Sequence, residues 1–569
     1  MIISYTKLMM QKIQLVIRYY LGFGILVLVS FLHAVVPLST SPSWTSNDLD
    51  YSTGGGFTDI NNDGYIDFCT SNGNDMAINK QGIYFNTAGA LETQASWRSV
   101  DSGYFGHLYL GDVDNDGNID MSVSFLGLGT SNQGKTRIYK NQGTSLNPAP
   151  DWLSSDQYNS FDNCLGDVDL DGDLDLAVAA GDEYNNIRSP ARIYRNNNGV
   201  FETTPYWSSI DSTPSDCIRF ADINRDGYLD LIVGYHYKLA VFYNQNGLIQ
   251  PTASWSVPEQ GWIIRLAPAD YDNDGWIDLA IAVNGQLGTD SSRIKVYKNN
   301  QGQLNTQASY TMLKNRHYCS CVAWGDANGD GYLDLAAGGW WETAVVFENH
   351  NGILDTLPGW SWGGSSLVCE ALVWGDIRNF HLRNISDTFF GNGTRKLFYT
   401  SKSPLHKLLA VYVQRNPVPV ANYCYDPLTG WFVLPNAPAA GETVISVYSY
   451  SSNPDLAVTN WTRLTGNFLF FNTIPQATEE EYSGYIKERT CDLVVTPNPF
   501  FSQSKFDIGS NRGIIKIYNH SGSLVEILSS QPYIWNGRDK FGNELPSGIY
   551  FVKAIVNNKI ITKKIIKLK

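Results

Sequence analysis

Short apolar stretches of about five residues recur along most of the chain, and six of them are entered through an acidic, glycine-containing loop. Their length and β-branched content predict strands, 176–180 and 279–283 among them. The loops follow D-x-[DN]-x-D-G-x-x-D and begin at Asp59, Asp112, Asp167, Asp222, Asp270 and Asp326, 48 to 56 residues apart. Other positions keep the same step. An aromatic stands 15 or 16 residues ahead of each loop, at Trp44, Trp97, Trp152, Trp207, Trp255 and Tyr310, and Trp360 extends the series ahead of Asp376. A Tyr or Phe, any residue, then Asn follows each loop: Tyr84 and Asn86, Tyr139 and Asn141, Tyr194 and Asn196, Phe242 and Asn244, Tyr297 and Asn299, Phe347 and Asn349. Each unit therefore reads as four short strands, the acidic loop joining the first to the second and a glycine turn such as Asn198-Gly199 joining the third to the fourth.

The loops carry the clearest chemistry. Their oxygen-bearing residues are Asp59, Asn61, Asp63 and Asp67; Asp112, Asp114, Asp116 and Asp120; Asp167, Asp169, Asp171 and Asp175; Asp222, Asn224, Asp226 and Asp230; Asp270, Asp272, Asp274 and Asp278; and Asp326, Asn328, Asp330 and Asp334. Oxygens at positions 1, 3 and 5 converge only if the chain curls tightly, and the glycine at position 6 permits that curl. Hard oxygen donors in this number suit calcium, about six ions in all. An EF-hand would need an acid at position 12 and helical flanks; here position 9 is acidic and the flanks are strands.

Four-stranded units at this period are what a β-propeller repeats. The loops and the strands after them resemble the FG-GAP, or VCBS-type, repeats of integrin-like β-propellers over residues 42–376. That resemblance implies calcium at the rim of one face and any ligand on the opposite face. A seventh unit starts with Trp360 and Asp376, but Arg378, Phe380 and a missing glycine replace its ligands. Its continuation returns later: 455–458 matches 175–178, and Phe470 and Asn472 repeat the aromatic-x-Asn mark. The reading is all-β: a seven-bladed propeller over 40–377, completed by 453–476, with a small β-sandwich inserted at 378–452. The unpartnered Trp44 supplies the missing last strand of blade seven, which removes the exposed sheet edges.

The ends differ from the middle. The apolar run 19–36 follows Lys7, Lys12 and Arg18 and reads as a secretory signal over 1–36, with a membrane anchor as the alternative. A polar linker, 477–490, leads to a β-patterned segment, 491–569. Its Pro497-Asn498-Pro499, Trp535-Asn536-Gly537-Arg538-Asp539, Gly542-Asn543 and Pro546-Ser547-Gly548-Ile549-Tyr550 resemble the C-terminal sorting domain of type IX secretion cargo, which has an immunoglobulin-like fold related to that of the flagellar hook-capping protein. The resemblance implies export to the outside or the cell surface and engagement of the secretion machinery.

Charge narrows the partners. Asp and Glu outnumber Lys and Arg by 55 to 41, a net charge of −14, which excludes a phosphate-binding surface for nucleic acid. No H-E-x-x-H, G-x-S-x-G, phosphate loop or paired-cysteine zinc spacing is present, and no catalytic residue is assigned. Aromatics in loops on the face opposite the calcium are the candidate ligand contacts: Tyr104, Tyr235, His236, Trp262, His317, Trp340 and Trp341. Aromatic faces beside Asn and Asp suit sugar rings. The expectation is a secreted or cell-surface binding and adhesion module for glycan or a surface protein. An extracellular polysaccharide lyase or hydrolase, or a structural surface component, are the alternatives.

Overall fold

The structure, a computed structural model, describes residues 36–130, 132–286, 292–312, 318–364, 367–475, 494–496, 500–507, 514–519, 523–528, 533–556 and 559–568. The secretory signal expected at 1–36, apart from Val36, and the linker expected at 477–490 lie outside the described residues. No helix among the described residues is long and apolar enough to cross a membrane. The chain divides into two compact units between Ile474 and Pro475.

In the larger unit one antiparallel order recurs. The first sheet runs Ser52–Thr58, Asp67–Asn72, Gly82–Tyr84, Trp97–Arg98. The second runs Phe105–Gly111, Asp120–Phe125, Arg137–Tyr139, Trp152–Leu153, and the third Asn163–Gly166, Asp175–Val178, Arg192–Tyr194, Trp207–Ser208. Two further units merge in a six-stranded sheet because Trp255–Ala269 is long enough to serve both: Val257 pairs with Leu239 at its start, and Ala267 with Ala280 near its end. Cys319–Gly325, Asp334–Gly339, Thr343–Phe347 and Trp360–Gly363 follow. The last sheet joins distant parts of the chain: Cys369–Gly375, Asp455–Asn460, Phe468–Phe470 and Trp44–Thr45, with Trp44 opposite Leu469. The first strands of these units lie side by side in chain order, and Cys369–Gly375 lies beside Ser52–Thr58.

Three devices hold one unit to the next. The asparagine of each aromatic-x-Asn mark donates its side-chain amide to two carbonyls, one before its own position-9 aspartate and one after the first aspartate of the preceding unit. Asn141 reaches Ile119 and Ile60, Asn196 reaches Leu174 and Val113, Asn244 reaches Leu229 and Val168, and Asn349 reaches Leu333 and Tyr271. Asn86 does the same to Ile66 and, across the chain ends, to Ile377. Second, the fourth-strand aromatic of one unit meets the third-strand aromatic of the next edge to face, as Trp97 meets Tyr139, Trp207 meets Phe242 and Trp44 meets Tyr84. Third, a bulky residue two before the loop fills a notch left by glycine in the preceding unit: a Cβ at Gly325 would stand 2.5 Å from Trp374, and one at Gly375 would stand 2.7 Å from Phe57. Both faces of each sheet are covered in this way, so Phe105–Gly111 is buried at every position instead of alternating.

The segment between Asp376 and Asp455 forms two small sheets, one of Leu382–Phe390, Thr443–Ser451, Leu405–Val413 and Asn416–Val418, the other of Leu397–Tyr399, Trp431–Val433 and Cys424–Tyr425. Phe398, Phe432 and Tyr448 are buried between them. In the smaller unit Val494–Thr496, Ser504–Asp507 and Tyr533–Trp535 form one sheet, and Leu524–Leu528, Ile514–Tyr518, Gly548–Val556 and Lys559–Lys567 another. Phe500, Trp535, Tyr550 and Ile565 share its core. The Trp-Asn-Gly-Arg-Asp run is a turn: Trp535 Nε1 donates to the Arg538 carbonyl at 2.8 Å, and Asp539 accepts the Phe541 and Asn543 amides at 2.9 Å.

Candidate functional site

The six acidic loops share one geometry. The position-6 glycine N–H donates to the first aspartate at 2.8–3.0 Å in every loop, as Gly64 does to Asp59 and Gly275 to Asp270. The position-7 amide donates to the fifth-position aspartate, for example Tyr65 to Asp63 at 2.9 Å. At Gly64 φ is +91° and nothing lies within 4 Å of where a Cβ would be, so backbone conformation, not space, demands glycine there. The position-9 aspartate is buried and spans the unit: Asp67 accepts the Ile60 amide at 2.9 Å and the Asn86 amide at 2.7 Å.

These loops fit a hard cation. Carboxylate oxygens of Asp112, Asp114 and Asp120 lie within 4.8 Å of one another, as do those of Asp167, Asp169 and Asp171, and those of Asp270, Asp272 and Asp278. In the other three loops an asparagine takes position 3, so fewer acids gather. Single oxygens of Asp114, Asp169, Asp222 and Asp278 are buried without a hydrogen-bond partner. Burial, with neighbouring loop carboxylates adding to it, pushes Asp112 and Asp222 up to about 7 and Asp167, Asp278 and Asp334 up to about 8. Clustered acids held in this state are stabilised by a divalent ion.

The seventh loop keeps the first part of the turn and exchanges the ligands, since His381 at position 6 lacks the positive φ of the glycines. Asn379 has φ +56°, as Asn62, Asn115 and Arg225 have +59°, +56° and +56° at the same position, and Asp376 accepts the His381 amide at 2.6 Å in place of a glycine. Arg378, where a ligand would stand, pairs with Asp455 at 3.1 Å. The guanidinium thus puts a fixed positive charge against the position-9 carboxylate.

Because the inserted segment leaves and re-enters at this loop, it lies over the loop face. It touches five of the six acidic loops: Lys407 Nζ donates to Asn62 at 3.2 Å, Lys396 to the Leu170 carbonyl and Lys402 to the Gly331 carbonyl at 2.9 Å, Tyr399 Oη accepts the Asp222 amide at 2.9 Å, and Val420 lies 3.4 Å from where a Cβ of Gly117 would be. A cavity of about 980 Å³ runs beneath it along the first strands.

At the opposite ends of those strands the predicted aromatics divide. Trp262 and Trp340 join one apolar cluster with Trp461 packed on it. Trp341, 45% exposed, stands against Trp340, Tyr318 and Trp461 at ring separations of 5.5–6.4 Å. His236 is buried, stacks on Tyr237 at 3.7 Å and pairs with Glu183 at 2.8 Å. Tyr235 is fully buried in the core, and Tyr104 is half-buried without a ring contact to this group among the described residues. His317 lies outside the described residues.

Sequence reading missed the polar groups at this end. Trp340 Nε1 and Trp461 Nε1 both donate to Glu370, the latter at 3.0 Å, and the other Glu370 oxygen is buried without a hydrogen bond, 3.7 Å from His107 Nε2. Below it Asp162 binds Arg219 at 2.6 Å and His107 at 3.1 Å; although burial opposes it, Arg219, His107 and Arg265 hold Asp162 below the carboxylate range. Asp216 is pushed up to about 8 by burial and by Glu183 and Asp182. The available signal was a charge among apolar neighbours in a strand: Glu370 in Cys369–Gly375, Arg219 between Ile218 and Phe220 in Ser215–Ala221, and Arg265 between Ile264 and Leu266 in Trp255–Ala269.

Comparison with known proteins adds two matches. Residues 167–233 and 222–281 match the FG-GAP-like repeat family, and residues 494–568 match the secretion system C-terminal sorting domain. No curated protein matches the chain. Among solved structures, the crystal structure of BBS1N in complex with ARL6DN is similar at 11% identity, over 59% of this chain and 88% of that chain, with a TM-score of 0.39. Raptor of Chaetomium thermophilum is similar at 12% identity, over 73% of this chain and 29% of that chain, with a TM-score of 0.40.

Proposed function

From a chain that carries FG-GAP-like repeats and a type IX sorting domain, and so is a secreted or cell-surface protein that engages the secretion machinery, we propose a calcium-stabilised, seven-bladed β-propeller that binds glycan through the face opposite its acidic loops. In this reading the propeller spans 40–377 and 453–476, with 378–452 inserted in blade seven, 1–36 a signal peptide, 477–490 a linker and 491–569 the sorting domain. Calcium would be held by the position 1, 3 and 5 residues of the six loops, with the position-9 aspartates as further donors. The ion supplies positive charge that the clustered carboxylates lack.

The observation that carries the binding reading is the gathering of Trp262, Trp340, Trp341 and Trp461 around the Glu370 carboxylate. Indole faces stack on the C–H faces of sugars, and a carboxylate takes their hydroxyls. A surface protein is the other partner class for the same face. The test is an array of bacterial and plant polysaccharides probed with the mature chain, with released sugar assayed in parallel. Saturable binding without release supports the reading; silence across the array rejects it.

An enzymatic reading draws on Asp216, whose carboxyl is pushed up to about 8 by burial and then by the Glu183 and Asp182 charges, the direction a general acid needs. Release of reducing or unsaturated sugars in the parallel assay would favour it. Deleting 491–569 tests export separately: the chain is then retained inside the outer membrane, and unchanged export contradicts the role given to that segment.

A further inference from the structure

The cavity beneath the inserted segment lies at the other end of the first strands from the proposed glycan face, and aromatic and charged side chains share its walls. Trp324 and Trp374 line it, each fixed by an indole N–H to a carbonyl of the preceding unit, Ala267 at 2.9 Å and Ala323 at 3.2 Å. Tyr109 lines it too, its hydroxyl tied to Asp426 of the insert at 3.1 Å. About 980 Å³ is at the upper end of what small-ligand sites enclose.

The charges are sorted. The five aspartates on the walls belong to the loops, where backbone N–H groups engage them: Gly227 on Asp222 at 3.0 Å, Tyr228 on Asp226 at 3.0 Å, Gly275 on Asp270 at 2.8 Å, Gly331 on Asp326 at 2.9 Å, His381 on Asp376 at 2.6 Å. Among the cations, Arg219 and Arg265 at the inner end share Asp162. At the rim the balance fails. Arg225 and Arg395 both line the cavity, and neither makes an ion pair among the described residues. The Arg395 guanidinium rests on the Phe398 ring at 4.3 Å with its Nε buried and without a hydrogen-bond partner, while Arg225 rests on Trp276 at 5.0 Å. Burial and then the nearby Arg225 charge hold Arg395 below its ordinary range, with the Asp222 carboxylate opposing them. A guanidinium presents paired donors that match an oxyanion.

We propose that this roofed chamber is a second binding site, for an acidic saccharide whose carboxylate or sulfate group lies between Arg225 and Arg395 while its rings pack on Trp324 and Trp374. The insert is then the roof of a site, not a spacer, and Leu428, which is exposed at the rim, marks where a chain would enter. The site is independent of glycan binding at the opposite face.

The test uses the full mature chain in calcium-containing buffer with three probes: trigalacturonate, a sulfated galactose trisaccharide and neutral galactotriose. At least one acidic probe is expected to change tryptophan emission saturably and to bind at least tenfold more tightly than the neutral one; which of the two binds separates carboxylate from sulfate. The double substitution Arg225→Gln and Arg395→Gln is expected to weaken that binding at least tenfold, and Trp341→Ala on the opposite face to leave it unchanged. Hydrogen exchange on the wild-type chain supplies a readout that needs no variant: the acidic probe slows exchange in 395–405 and 427–429. Equal binding of the neutral probe, no binding of any probe, loss with Trp341→Ala alone, or unchanged exchange in those segments overturns the proposal.

Discussion

The side-chain amide of Asn86 donates to the Ile377 carbonyl at 2.8 Å, across 291 positions of sequence. The same amide reaches Ile66 at 3.0 Å, so one side chain ties the first unit to the last by the device every other unit uses on its neighbour. Its removal leaves two buried carbonyls without this partner, at a cost of about 2–6 kcal/mol for the pair. Asn86→Ala is therefore expected to lower the unfolding free energy from denaturant titration by an amount of that order. Asn185→Ala, on an exposed turn, is the control; equal effects of the two would contradict the bridging role.

Calcium and protons compete for the loops. In the metal-free folded chain, burial and then like charge hold Asp112 at about 7 and Asp167 at about 8, against 3.8 for the free side chain. At these carboxylates the folded state then binds more protons than the unfolded state between these values, so their contribution to metal-free stability is fully present below about pH 4 and is lost as pH rises toward 8. Calcium displaces those protons. The rise in melting midpoint on adding calcium is expected to be larger at pH 8 than at pH 5 by calorimetry; an equal rise would mean the carboxylates are not the binding groups.

Arg378 is expected to behave as a built-in cation. Arg378→Ala leaves the buried Asp455 with the Asn472 and Ile377 amides but no counter-charge and should cost about 2–3 kcal/mol, at the low side for a buried pair because the guanidinium is partly exposed. Conversely, Arg378→Asp with Phe380→Asp and His381→Gly rebuilds the loop pattern on a turn that already has the position-4 conformation at Asn379, the new glycine being free to take the positive φ that position 6 has in the other loops. Metal analysis of that triple variant should find one more bound calcium than in the parent, and an unchanged count would show that the insert blocks the site.

Trp341 separates binding from folding. The residue is 45% exposed and packs only one side against Tyr318, Trp340 and Trp461, so Trp341→Ala should shift stability by about 1 kcal/mol or less. Glycan binding on the array should fall at least tenfold. Loss of stability without loss of binding would assign Trp341 to packing.

The repeat was legible because its ligands, turns and marks recur at fixed offsets from each first aspartate. So was the pairing of Trp44 with the strand around Leu469, which follows from two incomplete units at opposite ends of the repeat. The job of the mark asparagine was not legible, since nothing local tells that Asn141 reaches back to Ile60. Tyr235 was read as a loop aromatic and is fully buried, because Asp230–Phe242 continues as one strand through the place where other units turn. The position of the insert over the acidic loops could be anticipated from its point of entry. The chamber it roofs could not, because residues as far apart as Arg225 and Tyr450 line it.

The most direct measurement is the number of calcium ions the purified mature chain holds, by isothermal titration after chelation, together with the melting midpoint before and after. The account predicts six sites, and each site with free calcium at tenfold its dissociation constant adds about 1.4 kcal/mol, so chelation lowers the midpoint markedly. No bound calcium and an unmoved midpoint would reduce the acidic loops to turns and contradict the account.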